Sequence, residues 1–456
     1  MAGDTFQAGS AMVDLDPPLG LPIMGRCRLG GIMSGLMNAT GHFTPLCARA
    51  VAFADGRQVL VICSVDVMAM KWDLTQRVRQ LVQQSLQREV DIVVVATHTH
   101  SAPPGYKEFG FTDDRADRWL NQLESKIAQA ACEAVGGLQP AQLRLGEAQV
   151  HDIASNRRIR MPDGRLDMNF LVPDPSVGTP AGPFDPQLLL LVVESLDGQP
   201  IALVANFACH GNMLLEREHL DYCAEPFVMA MLGMEKQTPG IVGLHLPGAM
   251  GDISAYTLHR ERSHRGEGRM AGFYARHLNN ARAAARLIEA SPIVVRNAEF
   301  DAARRPLPGA DDVRSDIRDL TAVLDDAQRR ADHEATWKAM RLISHREALL
   351  DHIEHHATRQ PIPLRYRIIR VGDLAIVTCP GELFAEYGLA LKAAATPRPC
   401  MVVGYADDYH GYFPALRAFE EGGYETMPSI YSLAEAAAGH RYVEQATHQL
   451  TQMCKE

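Results

Sequence analysis

Features that would assign this chain to a membrane, a secretory route or a nucleic acid are missing from its sequence. No stretch approaches the roughly 18 apolar residues that a membrane-spanning helix requires. The first residues carry neither a basic segment nor an apolar run, so no signal peptide is indicated. With a formal net charge of −10, the non-specific electrostatic interaction with nucleic acid is repulsive, so no nucleic-acid partner is expected.

Disulfide signals are also missing. The nine cysteines are widely spaced, odd in number and include no CxxC pair. Such a pattern fits reduced thiols better than a disulfide framework, and disulfides are rare in reducing compartments. The sequence therefore predicts a cytoplasmic protein without a transmembrane segment.

Short apolar runs and turn residues predict the fold. Asp55-Gly56 and Asp197-Gly198 each separate two apolar runs and predict β-hairpins, because this turn requires residues that tolerate positive φ. Continuous apolar runs at Ile92–Ala96 and Met401–Gly404 predict buried strands. Helical patterns lie between them, so we expect one α/β domain over residues 1–456, with mixed sheets flanked by helices.

Three segments carry more specific expectations. Met270–Ile288 is rich in Ala and Arg and is predicted to be one helix. Asp311–His356 is highly charged with apolar residues at helical spacing, which predicts a helical hairpin packed on the outside. This hairpin is interpreted as an insertion, a cap or an oligomer contact, so a homo-oligomer stays open. Met161–Phe184 is rich in Pro and Gly and is predicted to be an irregular loop over a site.

Histidines follow the first predicted buried strand. Ile92–Ala96 runs into Thr-His98-Thr-His100-Ser, and alternate residues of a strand point to the same face, so both imidazoles can aim at one point. With 18 histidines in the chain, such a pair also arises by chance. Its position at a strand end, where α/β proteins usually carry their sites, indicates function.

Three further clusters have the same character. One strand ends in His210, another runs into Glu382, and Ser254 follows a glycine-flanked turn. Two histidines and one glutamate are a common ligand set for a hydrolytic zinc, which lowers the pKa of bound water from about 15.7 to about 7. The residues alone therefore predict a metal-dependent hydrolase with ligands from distant strand ends.

At these positions the chain resembles a known family. Thr97-His98-Thr-His100-Ser-Ala-Pro-Pro-Gly105 is similar to the Thr-His-Thr-His-Ser-Gly-Pro-Gly-Gly signature of neutral (non-lysosomal) ceramidases. Further similar segments follow in the family order: Asn156-Arg157, Asn206–His210, Gly251–Ser254, Pro380-Gly-Glu382, and Tyr409–Tyr412 with the downstream Glu420-Glu421 and Tyr424-Glu425. The resemblance covers most of the chain, from about residue 8 to about residue 430.

The resemblance implies the ceramidase catalytic-domain fold, here without the C-terminal immunoglobulin-like domain. It implies one Zn²⁺ per chain, and the implied metal ligands are His98, His210, Glu382 and Tyr412. The implied catalytic residues are His100 and Arg157 at the scissile amide and Ser254 at the reacting carbon. Tyr412 is implied to be catalytic as well as a metal ligand. Whether Ser254 or a zinc-bound hydroxide attacks stays open.

Departures from the family bear on the substrate. Ala102 and Pro104 replace glycines beside the histidines, and Arg158 replaces a serine. We therefore expect a zinc-dependent amidohydrolase that cleaves the N-acyl bond of a small cytosolic or biosynthetic compound rather than ceramide. An acyltransferase or amide synthase that uses an amine instead of water is the alternative. A metal-binding protein without catalysis is the third hypothesis.

Overall fold

The computed structural model describes residues 6–27, 36–107, 111–169, 175–212, 220–255 and 263–456. Strands in these ranges are β1 Gln7–Asp14, β2 Pro22–Cys27, β3 Leu36–Asn38, β4 Gly41–His42, β5 Cys47–Ala54, β6 Val59–Val65, β7 Asp91–Ala96, β8 Gln139–Gln149, β9 Ser155–Asn156, β10 Arg158–Arg160, β11 Leu166–Met168, β12 Thr179–Pro180, β13 Gln187–Ser195, β14 Pro200–Phe207, β15 Asp221–Tyr222, β16 Val242–Pro247, β17 Ile253–Ser254, β18 Arg286–Ile288, β19 Ile293–Ala302, β20 Ile362–Val371, β21 Leu374–Thr378, β22 Glu382–Leu383, β23 Cys400–Val403 and β24 Tyr412–Phe413.

The helices, in chain order, are α1 Trp72–Leu86, α2 Asp114–Gly136, α3 Glu225–Gln237, α4 His264–Ala284, α5 Ala310–Arg329, α6 His333–Asp351, α7 Ala385–Ala395, α8 Leu416–Glu421 and α9 Ala438–Lys455. A 3₁₀ turn spans Pro175–Val177, and a π turn at His352–His356 follows α6. In the described part of the chain, no helix combines the length and the apolar character that crossing a bilayer requires.

Two sheets pack face to face, and helices cover their outer faces, giving four layers. The larger sheet has the strand order β16-β14-β13-β8-β1-β5-β6-β7, with β18 added beside β8, and the smaller has the order β19-β20-β21-β23. One apolar core fills the space between the sheets. A second lies between the larger sheet and α1–α4, and a third between the smaller sheet and α7 and α9. The predicted α/β class, with mixed sheets flanked by helices, is confirmed.

Side-chain size alternates along β5 and decides which face meets which layer. Ala48, Ala50 and Ala52 point into the core beneath the helices, whereas Val51 and Phe53 point into the core between the sheets. Successive residues of a strand face opposite sides, so a small-large alternation produces one shallow and one bulky face. The shallow face lets helices approach the sheet closely.

The predicted hairpins form around 55–56 and 197–198, where β5 pairs with β6 and β13 with β14. The single helix predicted for Met270–Ile288 is wrong at its end. Helix α4 stops at Ala284, Ala285 is extended, and Arg286–Ile288 pair antiparallel with β8. Backbone groups of β8 offer this segment hydrogen-bond partners, and a local helical pattern carries no information about such a distant partner.

The segment predicted to be a helical hairpin folds as α5 and α6, which pack against each other. The expectation of an irregular loop over 161–184 is wrong in part. Strands β11 and β12 of this segment both pair with β10 and make a small three-stranded sheet. Residues 170–174 of the segment lie outside the described residues.

The larger sheet curls, and this gathers strand ends that lie far apart along the chain. Its edge strand β16 also contacts β5, β6 and β7 near the opposite edge. Asn206 at the end of β14 donates to the Val402 carbonyl oxygen of the smaller sheet, and Ala96 at the end of β7 donates to the Tyr405 carbonyl oxygen. The carboxyl ends of β7, β14 and β23 therefore meet in one place.

Helix α4 packs so closely on β8 that there is no room for a side chain at Gly146. A Cβ added there would lie 1.9 Å from the Ala281 carbonyl oxygen, a backbone atom that cannot rotate away. We expect Gly146→Ala to lower the free energy of unfolding by about 1–3 kcal/mol, measured by urea denaturation. Gly136→Ala is the matched control, because a Cβ there meets no atom within 4 Å. Equal stability of the two variants would contradict this packing.

Candidate metal centre

The segment after β7 brings the first two histidines to the site by a route that differs from the expected one. Strand β7 ends at Ala96, so His98 and His100 lie beyond it. His98 has φ of 63°, in the left-handed region that non-glycine residues rarely adopt. Strand alternation is therefore the wrong reason for their convergence. The turned backbone brings the two Nε2 atoms to 3.2 Å from each other.

His98, His210 and Glu382 form one buried cluster whose ligand atoms all lie within 4.8 Å of one another. The Nε2 atom of His210 is 3.2 Å from Oε2 of Glu382, and Nε2 of His98 is 4.0 Å from the same oxygen. These residues come from three strand ends that are remote along the chain. The structure thus brings three of the four predicted metal ligands close enough together for one ion to contact all three.

Backbone carbonyl groups fix the ring nitrogens of both histidines. Nδ1 of His98 lies 2.8 Å from the Met68 carbonyl oxygen, and Nδ1 of His210 lies 2.8 Å from that of Ile253. A carbonyl oxygen can only accept, so each Nδ1 carries the proton and donates. Burial is the largest influence on His98 and lowers its pKa to about 4, so this ring is neutral at pH 7 and its Nε2 presents a lone pair.

The charges and lone pairs of this cluster suit a bound cation. Burial by itself raises the pKa of Glu382, but the neighbouring rings of His210 and His98 and the guanidinium of Arg157 outweigh it and lower the pKa to about 2, so the carboxylate is ionised. An anionic oxygen and lone-pair nitrogens that face each other in a dry space are stabilised by a positive charge between them. Two histidines and one carboxylate are a known ligand set for a catalytic zinc.

Three tyrosines surround the carboxylate of Glu382. Tyr409 donates to its Oε1 at 2.6 Å, and Tyr405 donates to its Oε2 at 3.3 Å. Tyr412, the fourth predicted ligand, is the in-register neighbour of Glu382 in the parallel pair β22–β24, so both side chains point to the same face. Burial raises the pKa of the Tyr412 phenol well above its ordinary value.

Arg157 lies against the Tyr412 phenol. Its Nη2 donates to the Tyr412 hydroxyl oxygen at 3.1 Å, and its Nε donates to Oε1 of Glu425 at 2.8 Å. Arg158 shares Glu425 but turns toward Glu421, at 3.2 Å. Of the two adjacent arginines, Arg157 is therefore the one placed beside a predicted ligand, and Glu425 holds it there.

Ser254 lies next to the cluster on a turn that closely approaches Glu382. It bridges His210 through the backbone, and its hydroxyl donates to Oδ1 of Asn169 at 3.2 Å. A side chain at Gly251 would lie 2.5 Å from the Glu382 carbonyl oxygen, which is why this turn requires glycine. The structure thus places the predicted serine beside two of the predicted ligands.

Sequence reasoning missed several residues that hold the site in place. Tyr405 and Tyr409 on Glu382, Glu425 on Arg157, and Asn169 on Ser254 had no assigned role. Glu225 was missed too; its carboxylate accepts from the His100 backbone N–H at 3.0 Å. The spacing of tyrosines before Tyr412 was the one signal available for Tyr405 and Tyr409. The other contacts join residues 85 to 268 positions apart, which no local pattern encodes.

The fold and the cluster together define a class, an α/β protein with a candidate metal centre at converging strand ends. A family model for the N-terminal part of neutral/alkaline non-lysosomal ceramidases matches residues 22–238. Neutral ceramidases A and B of Dictyostelium discoideum are each 23% identical to it, over 226 and 234 residues. These matches cover 47% and 48% of this chain but 30% of either relative.

Solved structures agree with the sequence matches. The crystal structure of neutral ceramidase from Pseudomonas aeruginosa matches with a TM-score of 0.71 and 15% identity, over 99% of this chain and 75% of that one. A ceramidase complexed with C2 matches to the same extent. The family match over residues 22–238 and the shared fold both agree with the resemblance to neutral ceramidases that the motifs predicted.

The cluster predicts which side chains retain a cation. Because His210 contributes a lone pair at the centre, we expect His210→Ala to bind one divalent ion fewer per chain than the unmodified protein, measured by elemental analysis after dialysis. His245→Leu is the control, since it removes another buried imidazole that packs on Phe227 and Tyr274 instead. An unchanged metal content in His210→Ala would remove this residue from the ligand set.

Proposed function

We propose that this protein is a zinc-dependent amidohydrolase that cleaves the N-acyl bond of a small substrate. The observation that carries the proposal is the pair of histidine Nε2 atoms facing the Glu382 carboxylate beside Ser254. The reaction adds water across the amide C–N bond, so the acyl carbon gains the hydroxyl group and the nitrogen gains the proton. His98, His210, Glu382 and Tyr412 are the proposed ligands.

Arg157 and Tyr412 are proposed to act on the carbonyl group of the substrate. When bound, a zinc ion supplies Lewis-acid chemistry and makes water acidic enough to ionise near neutral pH. The buried guanidinium of Arg157 stays charged and can neutralise negative charge that develops on the carbonyl oxygen. Its hydrogen bond also orients the Tyr412 phenol, which can hold or release a proton at its oxygen.

Ser254 and His100 complete the proposed catalytic set. The Ser254 hydroxyl is oriented by Asn169, and the His100 ring lies on the more open side of the cluster, half-buried and 3.2 Å from His98. Both groups can exchange a proton with a substrate. Attack by Ser254 and stabilisation by Ser254 of an attack by water are both compatible with this position.

A cavity next to Tyr409 supports a small substrate. Tyr409 binds Glu382 with its hydroxyl group and also lines a cavity of about 330 Å³. This volume lies at the lower end of small-molecule sites, which span about 300–1,000 Å³. Its wall combines apolar residues, among them Ile362 and Leu433, with the cationic Lys71 and Arg304. We therefore propose a compact N-acyl compound with an anionic group.

The state of the thiols supports a reducing location. The eight cysteines whose side chains the structure describes are all free. Six of them are buried, and burial raises the thiol pKa of Cys63 and Cys379. Since disulfides are rare in the cytoplasm, we propose that the protein works there on a cytosolic or biosynthetic compound.

One observation favours acyl transfer to an amine as the second candidate. Helix α6 covers Tyr424, because Arg341 lies 4.4 Å from the centre of that ring and His345 contacts it at 5.3 Å. Tyr424 in turn packs on Tyr412 at 5.7 Å. A helix over this side of the site limits water there, and limited water favours an amine as the acceptor of the acyl group.

Hydrolysis is tested by incubating the purified chain with short N-acyl amines. We expect release of the free amine and the carboxylic acid, loss of this activity with a chelator, and recovery on addition of zinc. Ser254→Ala should keep its metal and lose kcat by on the order of 10²–10³-fold. Amine release that a chelator leaves unchanged would contradict the proposal. New amide formed with an added amine, in place of free acid, would favour the transferase.

The two adjacent arginines allow a matched test of the proposed carbonyl contact. Lysine keeps the charge but loses the planar fork, so Arg157→Lys should lower kcat by on the order of 10²-fold with little change in KM. Arg158→Lys loses a contact to the same Glu425 but none to Tyr412, and its kcat should stay within roughly threefold of the unmodified chain. Equal losses in both variants would assign Arg157 a structural role.

A further inference from the structure

A second cluster of ligand-type side chains lies outside the proposed catalytic set. Cys223 directly follows β15, and His264 and Glu267 share one face of the first turn of α4. The Cys223 thiol donates to Oε2 of Glu267 at 3.0 Å, and Nδ1 of His264 lies 3.9 Å from the same oxygen. All three ligand atoms lie within 4.8 Å of one another.

The donor set and its spacing match a zinc-type cation. Thiolate, imidazole and carboxylate are the side chains that bind zinc, with bond lengths near 2.0–2.3 Å. A tetrahedral ion with such bonds holds its ligand atoms roughly 3.3–3.6 Å apart. The distances of 3.0 and 3.9 Å here lie on either side of this range, so rotation of a side chain is enough to reach it.

Glu267 gives an independent indication of a ligand. Its side chain is fully buried, and within the described residues its Oε1 has no hydrogen-bond partner. A buried carboxylate oxygen without a partner costs free energy unless a donor or a cation compensates it. Oε2 of the same group is directed at Cys223, so the carboxylate is aimed into the cluster.

The surroundings of His264 and Cys223 fit ligation. Oδ2 of Asp221 lies 3.2 Å from Nε2 of His264, which turns Nδ1 toward Glu267. A carboxylate on the far nitrogen is the usual support of a metal-binding histidine. The backbone N–H of Glu225 donates to the Cys223 sulfur at 3.4 Å, a contact that stabilises a thiolate. Burial is the main factor that raises the pKa of this thiol, so without a cation it stays protonated.

We propose that Cys223, His264 and Glu267 bind a second, structural divalent cation of the zinc type. The site lies directly behind the segment that carries His98 and His100. The Cys223 N–H donates to the Ser101 carbonyl oxygen at 2.8 Å, and the Thr99 hydroxyl donates to the Cys223 carbonyl oxygen at 2.6 Å. The ion therefore ties the start of α4 to the segment of the first metal centre.

Metal stoichiometry tests this site in the full chain. The unmodified protein should hold two zinc ions, and Cys223→Ala and Glu267→Gln should each hold one. Cys63→Ala removes another buried cysteine, in the interior of β6, and should keep both ions. One zinc ion in the unmodified protein, or two in Cys223→Ala, would overturn the proposal.

Cobalt separates this site from the catalytic one even where a variant folds poorly. In His210→Ala loaded with Co²⁺, the remaining ion should show the near-ultraviolet charge-transfer band of a cobalt–thiolate bond, because, of the two ligand sets, the one with Cys223 includes sulfur. Absence of this band in both His210→Ala and the unmodified protein would refute the second site. It would leave the proposed amidohydrolase intact, since that activity rests on the first centre.

Discussion

The carboxylate of Glu382 lies in a buried space against the Nε2 atoms of His98 and His210, and the rest of the site is organised around that contact. Lone pairs that face each other away from water repel, and contacts from several elements hold these side chains in place. The carbonyl oxygens of Met68 and Ile253 fix the imidazoles, and two tyrosine hydroxyls fix the carboxylate. A cation bound at the centre would offset this repulsion.

Several residues with positive φ angles lie in the same region, so backbone strain is concentrated beside this site. His98 and Tyr405 both adopt left-handed backbone conformations, and their rings stack at 4.1 Å. Asp407, two residues on, is left-handed as well, and its carboxylate binds Arg367. Such conformations persist where the surrounding contacts over-determine them, and they gather at functional sites. The convergence of loops on the metal centre thus depends on backbone that local preference alone would not adopt.

Much of the fold and of the candidate site was predictable from the sequence, because local patterns reported them. Asp-Gly turns and apolar runs report local geometry, so the hairpins and the buried strands before His98 and Glu382 were found. Ser254 could be found because the glycine at 251 records a close backbone approach. Long-range contacts left no such trace: the pairing of 286–288 with β8, Glu425 on Arg157, and Tyr409 on Glu382 depend on tertiary neighbours. The cluster of Cys223 with His264 and Glu267 was invisible for the same reason.

The two proposed metal centres are built in the same way. Each takes ligands from the ends of strands or the first turn of a helix. Each places a buried carboxylate against imidazole or thiol groups. The segment from His98 to Ser101 belongs to the first cluster through His98 and contacts the second through the backbone of Cys223. A cation behind this segment would stiffen it, and a stiff segment holds the Nε2 atoms at the separation that the catalytic ion requires. The second ion would then act on catalysis through the position of His98 and His100, without contact to the substrate.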